Sequence, residues 1–256
     1  MLGFHQALGA DCTIAVMEVP MEDAGRFGIM NTNAVGRILE FQEKPTRPKS
    51  NLASMGVYIF SWEMLRTYLL SDAINLHSDH DFGKNIIPAM LRQGEGMYAF
   101  PFQGYWQDVG TLESLWQTNM DMVRDIHLGV PNWPILSCYQ EHRPPSYFGP
   151  NSRILGSLVS EGCNIRGWVE NCVLSPGVVV EEGAVVMDTV IMRDVTIKRG
   201  AQVHYAILDE GAVVYDHALV GAPKELHGSI TVVGREVVVG HGREAQCGSV
   251  VLKDLA

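Results

Sequence analysis

The sequence predicts an α/β region followed by a parallel β-helix, and two observations lead to this prediction. Up to about residue 123, short strand-like runs alternate with amphipathic helical runs, and Gly, Pro, Asn or Asp bound them. Beyond residue 150, apolar residues recur every six positions, an interval that no helix repeats. The 256 residues are 46% hydrophobic and 19% charged, which is enough apolar material for one large or two ordinary domains.

The elements of the first half follow from local composition. Three short runs rich in β-branched or aromatic residues are predicted as strands, at residues 13–17, 37–41 and 56–60. A first helix is predicted to begin at Ser61, and a second covers about residues 82–91, where Pro88 weakens the middle. A third helix is predicted to follow Thr111 as its N-cap, and its apolar stripe indicates core packing.

The second half is predicted from the six-residue interval. The repeating residues are Val173, Val179, Val185, Ile191, Ile197 and Val203, then, after a slip, Ile207, Val213 and Leu219. We expect them to point inward from three short faces per coil, with small residues at the corners. A β-sandwich with accidental spacing is the alternative. A β-helix exposes apolar surface that a neighbouring subunit can cover, so we expect an oligomer.

The two halves are joined by a proline-rich segment. Residues 129–150 contain prolines at five positions and show little periodicity, which predicts a linker. The predicted organisation is therefore an α/β domain at residues 1–128, a linker at 129–150 and a β-helix domain at 151–256.

Charge and cysteine content exclude several classes of protein. The formal net charge of −10 argues against a broad nucleic-acid-binding surface. The five cysteines form no CxxC pair, so neither a zinc site nor a disulfide framework is indicated. No apolar run approaches the roughly 20 residues that span a membrane, and the first residues do not resemble a secretory signal. We therefore expect a cytoplasmic protein with reduced thiols, in which a local cation or metal holds any anionic ligand.

Two candidate binding clusters lie at predicted strands. Glu43 and Lys44 stand just before a proline at the carboxyl end of a strand, where α/β proteins bind ligands. An exposed charge pair at a turn is the alternative. Ser54, Gly56 and Tyr58 share one face of a regular strand, and Gly56 would let a ligand approach closely. The alternative is an ordinary buried strand.

A third cluster precedes the third helix. Asp108 lies in a glycine-flanked turn and could hold Mg²⁺, which takes one or two carboxylates together with substrate phosphates. Helix capping is its competing role, although Thr111 is better placed for that. Trp106 could stack on a sugar or base. Asp79 and Asp81 add two carboxylates at a helix start, one of which is expected to be the cap.

These motifs, in this order, resemble bacterial glucose-1-phosphate adenylyltransferase (ADP-glucose pyrophosphorylase). The matching segments are residues 41–45, 51–60, 80–85 and 104–111, followed by the hexad repeat. The resemblance implies a nucleotidyltransferase fold with a left-handed β-helix, usually assembled as a homotetramer. It implies a Mg²⁺-dependent reaction of ATP with glucose 1-phosphate that gives ADP-glucose and diphosphate for glycogen synthesis.

The resemblance also implies roles for individual residues. Lys44 matches the lysine that contacts the phosphate of glucose 1-phosphate, and Glu43 matches the carboxylate that accepts hexose hydroxyls. Asp108 matches the acidic residue associated with Mg²⁺. The other matched positions line the sugar-phosphate pocket: Ser54, Tyr58, Asp81, Phe82 and Trp106. Lys44 and Asp108 are the expected catalytic residues, acting by positioning and charge neutralisation.

One departure from the family is large. Family members begin with a strand and a glycine-rich loop that binds the nucleotide phosphates, and residues 1–12 resemble neither. We therefore expect about the first third of a family member, with most of the ATP site, to be absent, and the isolated chain to be inactive. The alternatives are another sugar-1-phosphate nucleotidyltransferase, a non-catalytic assembly or regulatory subunit, and a hexapeptide acyltransferase that uses a histidine base. The candidate bases are His204, His217 and His241.

Overall fold

The chain folds into two compact units, residues 1–106 and 107–256. The computed structural model describes residues 1–125, 142–226 and 228–256, so the predicted linker lies outside the described residues from 129 to 141. Within these ranges the predicted order of an α/β region followed by a parallel β-helix is confirmed.

The first unit contains a mixed five-stranded sheet in the order β3-β2-β4-β1-β5. Its strands are β1 (Cys12–Glu18), β2 (Gly28–Thr32), β3 (Ile38–Glu43), β4 (Leu52–Phe60) and β5 (Met97–Pro101). Its helices are α1 (Leu2–Ala7), α2 (Trp62–Ala73) and α3 (Ile87–Gln93), with a 3₁₀ turn at Ala24–Arg26 and a π-helical turn at Phe82–Ile86. Strand β5 runs parallel to β1, and the other pairs are antiparallel.

Strand β1 lies between β4 and β5, and its first five residues are buried. Its inward residues Ile14 and Val16 pack in one apolar cluster with Ile87 and Met90 of α3. All three predicted strands fall within β1, β3 and β4, although β3 begins one residue later than predicted. Strands β2 and β5 were not predicted.

The helix predicted at residues 82–91 is divided into two elements. The π-helical turn ends at Ile86, and α3 begins at Ile87, so that Pro88 stands in the first turn of α3. Proline is tolerated there because the first N–H groups of a helix have no intrahelical acceptor. Gly94 then ends α3 in the left-handed conformation, with φ 79°.

The second unit is a parallel β-helix with three sheets, each of six strands in the part of the chain that is described. The first face holds β6 (Tyr147–Phe148), β9 (Asn164–Ile165), β12 (Val179–Val180), β15 (Thr196–Ile197), β18 (Val213–Val214) and β21 (Val238–Val239). The second holds β7 (Arg153–Leu155), β10 (Trp168–Glu170), β13 (Val185–Met187), β16 (Gln202–His204), β19 (Leu219–Gly221) and β22 (Glu244–Ala245). The third holds β8 (Leu158–Val159), β11 (Val173–Leu174), β14 (Val190–Ile191), β17 (Ala206–Leu208), β20 (Thr231–Val233) and β23 (Val250–Val251).

The central coils contain 17 residues, whereas an earlier coil has 15 and the last two have 25 and 18. The 17-residue coils correct the predicted inward ladder. Val173 pairs with Val190, and Val190 pairs with Ile207, each 17 positions further along the chain. One corner per coil is therefore one residue shorter than a strict hexad repeat requires. The fully buried ladder is Leu174, Val180, Val186, Ile191, Ile197, Val203, Leu208, Val214 and Val220. The predicted inward residues at 191, 197 and 203 are right. In the coils before and after them, the inward residue is the one that follows each predicted residue.

Residues with positive φ recur at the corners with the same interval. One corner is formed by Gly183, Gly200 and His217, with φ of 73°, 68° and 57°. This left-handed conformation costs a residue with a Cβ roughly 1–2 kcal/mol, so glycine is favoured there. Gly183 and Gly200 therefore agree with the prediction of small residues at the corners.

Helix α4 (Leu112–Arg124) packs on the third face of the β-helix. Thr111 caps it as predicted, and its hydroxyl accepts the backbone N–H of Ser114 at 3.1 Å. The side chains of Trp116 and Met120 join the outward side chain of Ile207 in one buried cluster. The apolar stripe of α4 thus covers the β-helix, whereas the predicted first domain extends to residue 128. The predicted domain boundaries stay a prediction.

None of the helices in the described ranges combines the length and the apolar character needed to span a membrane.

Candidate functional site

The backbone turns sharply where β3 ends at Glu43. Lys44 adopts the left-handed conformation, with φ 44°, and its N–H donates to the carbonyl of Phe27 at 3.1 Å. Pro45 follows and fixes the exit from the strand. Because a lysine with positive φ is uncommon, this turn holds the ammonium-bearing residue in a specific backbone conformation beside Glu43.

Four charged side chains meet at Glu43. Burial raises the pKa of Glu43, and the carboxylate of Asp81 acts in the same direction. The ammonium groups of Lys44 and Lys84 oppose this shift. The sequence placed Glu43 and Lys44 side by side, and the structure adds Asp81 and Lys84 from the π-helical turn.

Asp81 begins the π-helical turn and caps it. Its Oδ1 accepts the backbone N–H of Lys84 at 2.8 Å. Asp79, the other carboxylate before this turn, pairs instead with the Lys84 ammonium group at 3.0 Å. The expectation that one of the two aspartates caps the helix is therefore met by Asp81.

The aromatic side chains of β4 pack against the same turn. The ring of Phe82 stacks on Tyr58 at 5.7 Å between centroids and 18° between planes, and it lies 5.6 Å from the ring of Phe60. Burial raises the pKa of Tyr58, while a hydrogen bond with the buried Ser54 side chain opposes the shift. Tyr58 also interacts with the charge of Glu43. Ser54, Tyr58, Phe82 and Glu43 are thus part of one site.

Strand β4 is irregular between Ser54 and Tyr58. Ser54 is opposite Val16 and Tyr58 is opposite Ile14, so three residues of β4 face a single residue of β1. Gly56 lies in this bulge with φ 70°, a conformation that glycine adopts without steric cost. The prediction that Gly56 shares a face with Ser54 and Tyr58 by regular alternation is therefore wrong. Ser54 and Tyr58 themselves lie opposite Val16 and Ile14, which share one face of β1.

Trp106 packs against Phe27, a residue that contacts the lysine turn. Its ring centroid lies 5.7 Å from that of Phe27, the residue whose carbonyl accepts the Lys44 N–H. Sequence reasoning missed Phe27 and Phe60. For Phe60 a signal was available, because it stands two positions after Tyr58 and so shares its side of the strand.

Asp108 belongs to the second unit, which begins at residue 107. Its role as a metal ligand stays a prediction. Among the described residues, no group of three or more His, Cys, Asp or Glu side chains is arranged to hold a metal ion. A single carboxylate in a glycine-flanked turn fits Mg²⁺ only where substrate phosphates and water complete the coordination, as is usual for that ion.

Two protein-family models match the chain. Residues 1–125 match the nucleotidyl transferase family, and residues 146–240 match the GlmU-like C-terminal hexapeptide family. The second match covers coils of the β-helix, and the first covers every candidate residue of the sugar-phosphate and metal sites.

Curated relatives are similar over nearly the whole chain. The glucose-1-phosphate adenylyltransferase of Acetivibrio thermocellus is 47% identical over 254 residues, which cover 94% of this chain and 59% of the relative. That of Desulforamulus reducens is 46% identical, covering 94% and 62%, and that of Bacillus cereus strain ATCC 10987 is 45% identical, covering 88% and 61%. The chain thus spans about three fifths of the length of the curated relatives it matches.

Proposed function

Because this chain belongs to the glucose-1-phosphate adenylyltransferase family, we propose that it provides the sugar-phosphate site of an enzyme that makes ADP-glucose. The substrates are ATP and glucose 1-phosphate, and the products are ADP-glucose and diphosphate. The observation that supports this most directly is the grouping of Glu43, Lys44, Asp81 and Phe82 around the end of β3.

Lys44 binds the phosphate of the sugar in this proposal. Its ammonium group balances negative charge locally in a chain whose formal net charge is −10. The sugar phosphate attacks the α-phosphorus of ATP, so the reaction requires no nucleophile from the protein. The contribution of Lys44 is therefore to position the attacking oxygen and to neutralise charge.

The carboxylates and aromatic rings bind the hexose. Glu43 and Asp81 are acceptors for hexose hydroxyl groups, and hydrogen bonds to charged acceptors are the stronger ones. The Phe82, Tyr58 and Trp106 rings provide apolar surface for the faces of the sugar. Ser54 holds the Tyr58 hydroxyl by their hydrogen bond.

We propose Asp108 as a ligand of Mg²⁺. When bound, Mg²⁺ would neutralise phosphate charge and align the phosphates. In this proposal the Asp108 carboxylate would be the ligand that the protein supplies to the ion. We further propose that the protein acts in glycogen synthesis, in the cytoplasm, as a homotetramer in which the β-helix forms contacts between subunits.

The first experiment is a calorimetric titration of the chain with glucose 1-phosphate and with mannose 1-phosphate. We expect glucose 1-phosphate to bind more tightly, and Lys44→Gln to weaken its binding by about tenfold or more, because a charged hydrogen-bond partner of the phosphate is lost. Lys49→Gln is the matched control, since Lys49 is an exposed lysine that pairs with Glu40 at 2.8 Å. Tighter binding of mannose 1-phosphate, or equal affinity of Lys44→Gln and the unaltered chain, would contradict the proposal.

A further inference from the structure

Gly83 is buried in the π-helical turn and lies against the carboxylate of Glu43. A Cβ atom placed on Gly83 would lie 2.5 Å from Glu43 Oε2 and 3.0 Å from its carboxyl carbon. The same position is 3.3 Å from Oδ1 of Asp81. The space that a side chain would fill at residue 83 is therefore taken by the Glu43 carboxylate, beside Asp81.

The backbone does not explain glycine at this position. Gly83 is not among the residues with positive φ, so an L-residue could adopt its conformation. Within a helical turn, alanine is more favourable than glycine because glycine loses more conformational entropy. What glycine provides at residue 83 is space.

We propose that Gly83 is a positioning residue for hexose recognition, because its missing side chain leaves the room in which the Glu43 carboxylate lies next to Asp81. Two carboxylates held side by side present several acceptor oxygens to a substrate with adjacent hydroxyl groups. The inference rests on the proposed function for the identity of the substrate, a hexose phosphate. The geometry of the two carboxylates is independent of that identity.

A second glycine shows why Gly83 is the more informative position. A Cβ on Gly28 would lie 2.5 Å from the Phe41 ring and 3.1 Å from Glu43 Oε2. Phe41 packs against the core of the first unit, so a substitution at Gly28 would disturb that core. At Gly83, in contrast, the atoms that must move are the end of a flexible side chain. Alanine at residue 83 should therefore displace the Glu43 carboxylate without unfolding the protein.

The experiment compares Gly83→Ala with Gly3→Ala. The control residue Gly3 lies in α1, has no positive φ and has open space where a Cβ would be. Two properties are measured in the unliganded chain and its variants: the melting temperature, and the titration of the Glu43 side-chain carboxyl by ¹³C NMR. The third measurement is the affinity for glucose 1-phosphate. The double variant Gly83→Ala, Glu43→Asp tests rescue, because a shorter side chain withdraws the carboxylate from the added methyl group.

We expect Gly83→Ala to melt at pH 7 no lower than the unaltered chain, because the Glu43 charge becomes less costly to ionise. We expect it to lower the pKa of Glu43 towards the ordinary range as the carboxylate moves into solvent, and to weaken glucose 1-phosphate binding by about tenfold. Glu43→Asp should recover part of that affinity in the Gly83→Ala background, and Gly3→Ala should change neither the Glu43 titration nor the affinity. An unchanged Glu43 titration in Gly83→Ala would overturn the inference. If the unaltered chain fails to bind glucose 1-phosphate while the Glu43 titration shifts as expected, the proposed function fails and the placement of Glu43 by Gly83 stands.

Discussion

Glu40 and Glu43 lie on the same strand, but their surroundings move their pKa values in opposite directions. Hydrogen bonds from Lys49 and Asn31 lower the pKa of Glu40. Burial raises the pKa of Glu43, because removing a carboxylate from water disfavours its charged form. One strand thus carries an ordinary paired surface carboxylate and, three residues later, a carboxylate that is costly to ionise.

This difference predicts opposite effects of two conservative substitutions on stability. Glu43 has a raised pKa in the folded state, so its ionisation destabilises the fold as the pH rises through that pKa. Glu43→Gln should therefore raise the melting temperature at pH 7, and the gain should shrink towards pH 4. Glu40 has a lowered pKa, so its ion pair stabilises the fold above the ordinary pKa of glutamate. Glu40→Gln should lower the melting temperature at pH 7, with the loss shrinking as the pH falls.

Thermal unfolding of both variants at several pH values between 4 and 7 checks the prediction. The two substitutions are matched in chemistry and in strand, so each is the control for the other. A melting temperature of Glu43→Gln that falls at pH 7 would show that the surroundings of Glu43 do not disfavour its charge, and one that rises for Glu40→Gln would show that the Glu40 ion pair does not stabilise the fold.

At the scale of elements, α4 illustrates how one side chain can secure a helix to a sheet. The Trp116 Nε1–H donates to the carbonyl of Asp188 at 2.7 Å, and its ring meets that of Tyr205 edge to face at 4.9 Å. The Lys224 ammonium group lies 4.4 Å from the centre of the Trp116 ring. Lys224 belongs to a longer connection, since Ile207 and Val232 are paired across 25 positions instead of 17.

Removing this side chain should destabilise the second unit strongly. Trp116→Ala leaves a cavity and an unpaired carbonyl, and we expect a loss of about 3–5 kcal/mol in the free energy of unfolding. Trp62→Ala is the matched control, because Trp62 begins α2 with 66% of its surface exposed. It should change the free energy of unfolding by about 0.5 kcal/mol or less. Urea unfolding followed by circular dichroism measures both. A Trp116→Ala loss no larger than that of Trp62→Ala would contradict the packing described for α4.

Apolar pattern and capping residues predicted α2 and α4, predicted the π-helical turn and α3 as one helix, and missed α1. Thr111 and Ser61 both precede helices as expected, and Thr111 caps its helix with its side chain whereas Ser61 does not. The pattern did not reveal what α4 packs against. Strands β2 and β5 were missed because each contains a residue type that is depleted in strands, Asn31 in β2 and Pro101 in β5. The inward ladder was misplaced because a 17-residue coil departs from six-residue spacing by one position per turn, and valine occupies both neighbouring positions.

The site was predictable where its residues are contiguous and less so where they come together only in the fold. Glu43 and Lys44 are neighbours, so their pairing was visible in the sequence. The approach of Asp81 and Phe82 to β3 and β4 depends on how the π-helical turn packs, which no local pattern records. The role of Gly83 was hidden for the same reason, since its neighbour Glu43 is 40 positions earlier in the chain.

At the scale of the whole molecule, two buried cysteines lie in different cores, so the reactivity of each thiol measures the opening of its own core. Cys12 is buried in the core around β1, and Cys172 is buried in the interior of the β-helix. Burial raises the pKa of each thiol to about 12. A thiol reacts as its thiolate, so both should resist alkylation in the folded protein. Cys247 is partly exposed and serves as the internal control for reagent activity.

We expect the two cores to open at different denaturant concentrations. Helix α2 of the first unit buries none of its residues completely, whereas the β-helix interior is a continuous apolar stack from Cys163 to Val251. Because the stability of a region follows the apolar surface that it buries, Cys12 should become reactive at a lower urea concentration than Cys172. Alkylation at increasing urea, mapped to each cysteine by mass spectrometry, gives the two midpoints. Coincident midpoints would mean that the two units unfold as one cooperative structure, and a lower midpoint for Cys172 would reverse the order of stability inferred from burial.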